Sequence, residues 1–252
     1  MIGLGFLRVS ELSKGGELPW TKDVRLVACD ENGLMAVEKS TGVLSHPNRK
    51  GDFGRALLAA TYDEGEEAYR VETDDGEPRW VYLLNRLDSA TSGLVLLTTN
   101  PDARTEVLRA FEKKQVRKVY AALVFGFVRK EPPIWKDRLT IKKAQGGLRA
   151  SDGGGLSAET RLVTAKSIQG IPAMSLLTLM PLTGRTHQLR IQTAKRGTPI
   201  VGDRTYGDFQ KNKSIANSRG IKRLCLHCME TEVTYSIGGK SFSFSAKSKV
   251  PF

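Results

Sequence analysis

The pattern of apolar and polar positions predicts mostly β-strands. The segments LVAC (26–29) and LMAVEK (34–39) flank Asp30–Gly33, whose Asn-Gly step is typical of a tight turn, so a β-hairpin is predicted here. A second hairpin is predicted over 233–246, where apolar residues alternate with polar ones on either side of two consecutive glycines. Both ends of the chain therefore contribute strands.

Five further strands are predicted between these hairpins. One of them is the uninterrupted apolar run GLVLLTT, which is typical of a strand buried on both faces. The five segments are 81–84, 93–99, 118–128, 158–168 and 173–180.

Three helices are predicted. Asn100 and Pro101 form a strong start signal for the longest one. Its apolar stripe consists of Ala103, Val107, Ala110 and Phe111. A second helix is predicted over 187–195 with Gly197 just past its end, and a short third one follows Asp52 as a possible N-cap.

The remaining segments are predicted as loops. The acid-rich segment 63–79 is expected to be a surface excursion away from any RNA face, and the glycine-rich segment 146–155 a mobile loop or a hairpin tip. The segments 41–48 and 210–223 are predicted as ordinary and basic loops, respectively.

These elements predict a single domain of the α+β class over residues 24–252, preceded by an N-terminal arm over 1–23. Its large, mainly antiparallel but mixed sheet is flanked by helices and loops. A chain of 252 residues is long enough to form a hydrophobic core without disulfide or metal support.

The charge points to a polyanionic partner. The chain carries 39 Lys and Arg against 27 Asp and Glu, a net charge of +12, which favours RNA, DNA or an anionic surface over a neutral ligand. The longest apolar run, 170–184, is shorter than a membrane span and contains two prolines, and no signal peptide is evident. A cytoplasmic protein is expected.

The three cysteines fit a reducing compartment. Cys225 and Cys228 form a CxxC around His227, but no further ligands stand at zinc-site spacing. Reduced cysteines on a core strand are therefore expected, and no metal site.

Three segments carry candidate chemistry. Asp88 lies in a polar break between two apolar strands, close to Arg86 and Thr91, which suits a catalytic carboxylate but also an ordinary turn. His187 and Arg190 share a helix face that suits phosphate binding but also a solvated basic helix. Tyr120 starts a strand, where tyrosine usually packs in the core.

Together these segments resemble the RluA-type RNA pseudouridine synthases. NRLDSATSGLVLL (85–97) is similar to the catalytic segment HRLDxxTSGLLLL of that family, and RKVYAALVFG (117–126) to its Lys-x-Tyr strand. PLTGRTHQLRIQTAKRGTPIVGDRTYG (181–207) resembles its last core motif, and TGVLSHPN (41–48) its first. The motifs occur in the family order.

The resemblance implies a role for each matching residue. Asp88 falls on the catalytic aspartate, Tyr120 on the active-site tyrosine and Arg190 on the basic partner of the aspartate. Arg86 falls on the arginine that helps to displace the target base. Asn85 stands where the family usually has His, and this difference is expected to alter local support or RNA contacts.

The resemblance further implies an isomerase without a cofactor, acting on specific uridines of rRNA or tRNA. The family often carries an N-terminal S4 domain, and its absence is expected here, so the catalytic domain itself is expected to grip the RNA. No obligate protein partner, a monomer and no membrane contact are expected. The expected RNA-binding residues are Arg86, Thr91, Arg185, His187, Lys211, Lys213, Lys222 and Arg223.

The implied reaction needs an ionised carboxylate beside the uridine. A carboxylate buried near a base tends to take up a proton, and a bidentate guanidinium at position 190 would keep it charged. Whether Asp88 attacks C1′, attacks C6 or removes the C2′ proton stays open. Two alternatives also stay open: an RNA-binding protein without catalysis, and a metal-dependent nuclease using Asp88 with other acids.

Overall fold

The structure is a computed structural model, which describes residues 18–72, 77–128, 132–144, 147–152 and 155–252. The chain divides into two compact units. The first contains the described residues up to Val116 together with Thr231–Ser248, and the second contains Arg117–Glu230 and Lys249–Phe252. No helix of the described ranges is long and apolar enough to span a membrane.

The first unit is built on a sheet of antiparallel strands. The pairing order is β1-β2-β6-β5-β4-β3, and β13 pairs with β12. All seven residues of β6 are buried, as its apolar run predicts. The strands are β1 (Val24–Cys29), β2 (Leu34–Lys39), β3 (Thr61–Asp63), β4 (Ala68–Val71), β5 (Arg79–Leu83), β6 (Ser92–Thr98), the part of β12 (Leu226–Ile237) from Thr231 onward, and β13 (Lys240–Lys247).

The predicted hairpin of β1 and β2 is confirmed. Asp30 Oδ1 accepts the backbone amides of Asn32 and Leu34 at 3.0 and 2.9 Å, and Gly33 takes a positive φ of 76°. The Tyr235 hydroxyl donates to Asp30 Oδ2, which fixes the turn to the C-terminal hairpin of the same unit. This aspartate therefore has a structural role.

Helix α1 (Pro101–Glu112) follows β6 and begins where the sequence predicts. Asn100 Oδ1 accepts the amides of Asp102 and Ala103, at 2.8 and 3.3 Å, and so caps the helix. The predicted stripe is confirmed for three members, which are the buried Ala103, Val107 and Ala110. Phe111 is only half-buried.

The second unit is an antiparallel sheet with two helices. Its strands pair in the order β7-β11-β10-β8-β9. They are β7 (Arg117–Phe125), β8 (Ile134–Ala144), β9 (Gly147–Asp152), β10 (Leu156–Ile168) and β11 (Met174–Pro181), and the helices are α2 (Gln188–Lys195) and α3 (Phe209–Arg219). The prediction of an α+β fold with mainly antiparallel strands is confirmed.

Helix α2 is fastened to this sheet by a buried polar contact. Gln192 donates to Asp137 Oδ2 at 2.8 Å and accepts the Thr160 hydroxyl at 2.6 Å. Asp137 also pairs with Lys195 at 2.8 Å and with Arg196 at 3.0 Å, at the C-terminal end of the helix. Burial alone would raise the pKa of Asp137, but the hydrogen bonds and charges of these partners outweigh it and lower the pKa.

Three loop predictions are wrong in part. The basic segment 210–223 is largely helix α3, which Asp208 caps by accepting the amide of Lys211 and which Gly220 ends at φ 69°. Its helical period is hidden because Ile215 is its only buried residue. The glycine-rich segment 146–155 contains β9, although residues 145, 146, 153 and 154 lie outside the described part.

The acid-rich segment contains β4 and the end of β3, because three of its residues face the core. These are Ala68, Tyr69 and Val71. The predicted short helix is a 3-10 helix (Lys50–Arg55) in which Asp52 lies inside the turn and not at the N-cap. Its carboxylate lies 3.8 Å from both Arg49 and Arg55 instead.

The arm predicted over 1–23 lies mostly outside the described residues, which begin at Leu18. The described end of it is held in the first unit. Trp20 forms a β-bridge with Leu58, and the amide of Thr21 donates to the carbonyl of Leu57 at 3.1 Å.

Replacing Asp137 by Asn tests the anchor of α2. We expect the free energy of unfolding to fall by about 2 kcal/mol, less than for a fully buried ion pair because the two cations are partly exposed. Glu106 is only half-buried and pairs with the exposed Arg109 on α1, so Glu106→Gln should cost only about 0.3–0.5 kcal/mol. Urea denaturation of both variants measures the difference.

The same variant should change the acid limb of stability. Because folding lowers the pKa of Asp137, its stabilisation is present above the ordinary value of about 3.9 and is lost as the pH falls below it. The loss of stability between about pH 4 and pH 2 should therefore be shallower in Asp137→Asn than in the wild type. An equal slope in both proteins would contradict the proposed anchor.

Candidate active site

Asp88 lies in the loop between β5 and β6 of the first unit. Ser45 fixes the residue before it, since its hydroxyl accepts the amide of Leu87 and donates to the carbonyl of Leu87, both at 3.0 Å. The carbonyl of Asp88 accepts the amide of Thr91 at 2.9 Å and closes a tight turn. The carboxylate is therefore carried on a backbone with little freedom.

The buried ammonium of Lys39 holds the other side of this loop. It donates to the carbonyls of Val43 at 2.9 Å, Ser89 at 3.2 Å and Thr91 at 2.5 Å. An ammonium has three donors and no acceptor, so converging backbone carbonyls suit it as partners. Lys39 thereby joins the loop after β2 to the loop that carries Asp88.

Thr91, a predicted RNA-binding residue, is buried, with only 3% of its surface exposed. Its carbonyl serves Lys39 and its amide closes the Asp88 turn. These contacts give Thr91 a structural role in the loop, and its contact with RNA stays a prediction.

Arg86 is exposed beside an aromatic pair. Its Nη1 lies 3.4 Å from His46 Nε2, and the imidazole of His46 stacks on Tyr62 with ring centroids 4.9 Å apart. Since a guanidinium only donates, Nε2 accepts and His46 Nδ1 carries the proton towards the carbonyl of Pro47, 3.1 Å away. The sequence analysis missed both aromatic residues, although His46 lies in the TGVLSHPN motif.

Asn85 stands at the start of the loop that carries Asp88. Its Oδ1 accepts the amide of Leu96 at 2.8 Å, so the side chain ties the start of the loop to β6. Its Nδ2 is buried and has no hydrogen-bond partner among the described residues. The effect of Asn in place of the family's usual His stays a prediction.

Tyr120 is buried on β7, opposite Leu179 of β11. The Lys118 ammonium, two residues earlier on the same face, lies 5.5 Å from the centre of the Tyr120 ring. Burial lowers the pKa of Lys118. The position of Tyr120 is thus fixed by core packing.

Arg190 is held by a carboxylate that the sequence analysis did not assign. Its Nε and Nη2 donate to Asp203 Oδ2 and Oδ1 at 2.8 and 2.9 Å, and the side chains are 7% and 1% exposed. The only sequence signal for this partner is the Gly202-Asp203 step within the last motif. The predicted pairing of Arg190 with Asp88 stays a prediction.

The neighbours of Arg190 include two other motif residues. The Tyr206 ring lies 5.1 Å from the guanidinium carbon, and its hydroxyl lies 3.0 Å from Nδ1 of His187. His187 precedes α2 with φ 55°, a left-handed conformation that costs energy outside glycine and is found at functional sites. Arg185 is half-buried and donates through Nε to the carbonyl of Ser157 at 3.0 Å.

The predicted basic residues divide into two kinds. Lys211, Lys213 and Lys222 are exposed, the first two on α3. Arg223 is half-buried, donates to the carbonyl of Leu224 at 3.1 Å and lies 5.6 Å from the centre of the Phe252 ring. Three of the four therefore face solvent, and Arg223 is bound within its own unit.

The cysteine motif lies in the core. Cys225, His227 and Cys228 are buried, and burial raises the pKa of the Cys225 thiol to about 11, which keeps it protonated. Within the described ranges, no group of three or more His, Cys, Asp or Glu side chains is arranged to hold a metal ion.

The similarity of this chain to known proteins covers the region that contains these motifs. A family model described as RNA pseudouridylate synthase matches residues 33–195, which is more than half of the chain. A tRNA pseudouridine synthase C of Yersinia pestis is 28% identical over 239 residues, covering 91% of this chain and 88% of the relative. A dual-specificity RNA pseudouridine synthase RluA of Haemophilus influenzae is 29% identical over 226 residues, covering 86% and 90%.

The fold agrees with these sequence matches. The structure of human RNA pseudouridylate synthase domain containing 4 covers 89% of this chain and 88% of its own, with a TM-score of 0.63 at 19% identity. The motifs, the family match and the fold agree, and the chain belongs to the RluA-type RNA pseudouridylate synthase family as an RNA pseudouridine synthase, an isomerase.

Proposed function

We propose that Asp88 is the catalytic carboxylate with which this protein isomerises specific uridines of rRNA or tRNA, without a cofactor. One observation carries the proposal: the loop NRLDSATSG, which matches the family's catalytic segment, is fixed on both sides of Asp88. Ser45 holds Leu87, and Lys39 holds the carbonyls of Ser89 and Thr91. Such a backbone presents one carboxylate in one place, as catalysis by positioning requires.

The proposed reaction breaks the N1–C1′ bond of the uridine, turns the uracil and joins C5 to C1′. C5 loses its proton to solvent, and N1 takes up a proton in exchange. Asp88 acts on the uridine, by attack at C1′ or C6 or by removal of the C2′ proton. Arg190 keeps the carboxylate ionised through its guanidinium, and Tyr120 stacks on the uracil. The reaction is an isomerisation, so no atoms are gained or lost overall.

The target uridine has to leave its helix or loop to reach Asp88, at a cost of a few kcal/mol. Arg86 is suited to occupy the gap because it is exposed and lies beside the stacked rings of His46 and Tyr62. Arginine and aromatic faces are the groups that stack on unpaired bases. Arg185, His187 and Thr91 complete the proposed RNA contacts.

The cellular setting belongs to the same proposal. We place the protein in the cytoplasm, since its three cysteines are free, as is usual in a reducing compartment. It acts as a monomer on RNA, with no obligate protein partner. The names of its relatives refer to tRNA and to dual specificity, which supports a structured RNA as the substrate.

Asp88→Asn tests the catalytic assignment. We expect the variant to release no tritium from C5-labelled uridine in transcribed tRNA and rRNA, because an amide cannot act as nucleophile or base. Its affinity for RNA should stay within about twofold of the wild type, since base and phosphate contacts are unchanged. Asp102→Asn, the same change at an exposed position of α1, serves as the control and should keep full activity.

Two results would contradict this assignment. Tritium release by Asp88→Asn at the wild-type rate would show that another residue performs the chemistry. Wild-type protein that binds RNA but leaves every uridine unmodified would favour a binding function without catalysis.

The exposed lysines of α3 and the following turn test the RNA surface. Replacing Lys211, Lys213 and Lys222 by Ala should weaken RNA binding and reduce the slope of log affinity against log salt by about 2, as expected for three lost phosphate contacts at roughly 0.7 each. The same charge loss at the exposed Lys240, Lys247 and Lys249 is the control. If both triple variants weakened RNA binding and lowered the salt slope equally, α3 and the following turn would not be the RNA surface.

A further inference from the structure

The carboxylate of Asp203 is saturated by partners of the second unit. Oδ2 accepts Arg190 Nε, and Oδ1 accepts Arg190 Nη2 together with the amides of Thr205 and Tyr206 at 2.8 and 3.0 Å. Burial alone would raise its pKa, but the hydrogen bonds and charge of Arg190 and the two amides hold it below the usual value. Asp203 therefore stays ionised at neutral pH and presents its two oxygens to the guanidinium in a fixed position.

The segment around Asp203 is itself attached to helix α3. Asn212 accepts the amide of Gly202 at 2.7 Å and donates to the carbonyl of Asp203 at 2.9 Å, so one side chain binds both ends of the Gly202–Asp203 dipeptide. The backbone around Asp203 is packed so closely that only glycine fits at positions 202 and 207. A Cβ at Gly202 would lie 1.7 Å from the carbonyl oxygen of Arg223, and one at Gly207 would lie 2.0 Å from that of Asp203.

We propose that Asp203 is the positioning residue for Arg190 and that Asn212 sets the position of Asp203, so that the basic helix α3 is mechanically joined to the arginine of the active site. The inference rests on the role proposed above for Arg190. It goes further by assigning functions to two residues outside the predicted site, and by connecting an element proposed to bind RNA with one proposed to serve the chemistry.

The pair with Asp203 restricts the geometry of Arg190. A long arginine side chain samples many rotamers, and the bidentate pair through Nε and Nη2 fixes both the position and the plane of the guanidinium. Nη1 lies in the same plane, so its direction is fixed as well. Misplacement of a catalytic group by about 1 Å costs on the order of a hundredfold in rate, so the carboxylate behind Arg190 affects catalysis without touching the substrate.

The first experiment compares two substitutions on the same helix. Asn212→Asp keeps the acceptor for Gly202 but replaces the donor to Asp203 by a second carboxylate oxygen. Asn217→Asp introduces the same charge at an exposed position of α3. Single-turnover kinetics with enzyme in excess over RNA separates the rate of the chemical step from the half-saturating enzyme concentration.

We expect Asn212→Asp to lower the saturating rate by roughly tenfold or more, while the half-saturating concentration matches that of Asn217→Asp within about twofold. Asn217→Asp should keep the wild-type rate. Thermal melting of each variant shows that the assay temperature lies below unfolding. Equal rates for the two variants, or a change confined to the half-saturating concentration, would overturn the role of Asn212.

The second experiment tests Asp203 by chemical rescue. In Arg190→Ala, guanidinium at low millimolar concentration should restore part of the lost rate, because Asp203 still offers its two oxygens. In the double variant Arg190→Ala/Asp203→Asn, the rescue should fail. Rescue of equal size in both variants would overturn the positioning role. Asp203→Asn alone, which keeps the size of the side chain, should lower the saturating rate by roughly a hundredfold with little change in half-saturation.

The experiments distinguish a failure of the catalytic assignment of Asp88 from a failure of the positioning roles of Asp203 and Asn212. If Asp88→Asn keeps wild-type tritium release, the proposed catalytic assignment is wrong. If Asp88→Asn is inactive while Asp203→Asn and Asn212→Asp react at the wild-type rate, only the positioning inference is wrong. If Asp203→Asn and Asn212→Asp lose rate only in proportion to the fraction of unfolded protein, their role is structural and the inference is again wrong.

Discussion

The structure depends on how the buried cations of each unit are satisfied. Lys39 is inside the first unit, and its ammonium is satisfied by backbone carbonyls that come from two separate loops. Because a buried charge without partners is very costly, the fold is stable only when those loops converge. The convergence is also what gives Asp88 a defined position, so stability and the presentation of the carboxylate have the same origin.

Arg190 meets the same problem in a different way. Its partner is a full negative charge, Asp203, and the pair is buried and bidentate. A buried ion pair contributes little net stability over apolar residues of the same size, but it fixes the orientation of the two side chains. That property suits a residue whose proposed task is to meet a second carboxylate, and the attachment of Asp203 to α3 through Asn212 extends the fixed region to the surface.

Exposure separates the predicted basic RNA-binding residues. Arg86 and the lysines of α3 are exposed, so a polyanion can reach them, although Arg86 lies 3.4 Å from His46 and Lys211 pairs with Asp208 at 3.0 Å. Arg223 carries the same charge but is half-buried and is held by the carbonyl of Leu224 and by the ring of Phe252. Net charge alone therefore does not identify a binding residue.

The sequence by itself determined the features that depend on neighbours along the chain. The β1–β2 hairpin, the N-cap of α1 at Asn100 and the buried strand β6 all follow from local periodicity, turn chemistry and capping, and the ordered motifs identified the family. Helix α3 escaped detection because its single buried residue leaves no apolar period to read.

Only the tertiary structure decided the partners of the charged groups. Lys39 and Thr91 are 52 positions apart, and Arg190 and Asp203 are 13 apart across a loop. Periodicity reports which face of an element is buried, but not which distant carbonyl or carboxylate meets a given cation there. Hydrogen bonds depend on distances of a few tenths of an ångström, and those are fixed by packing of the whole unit.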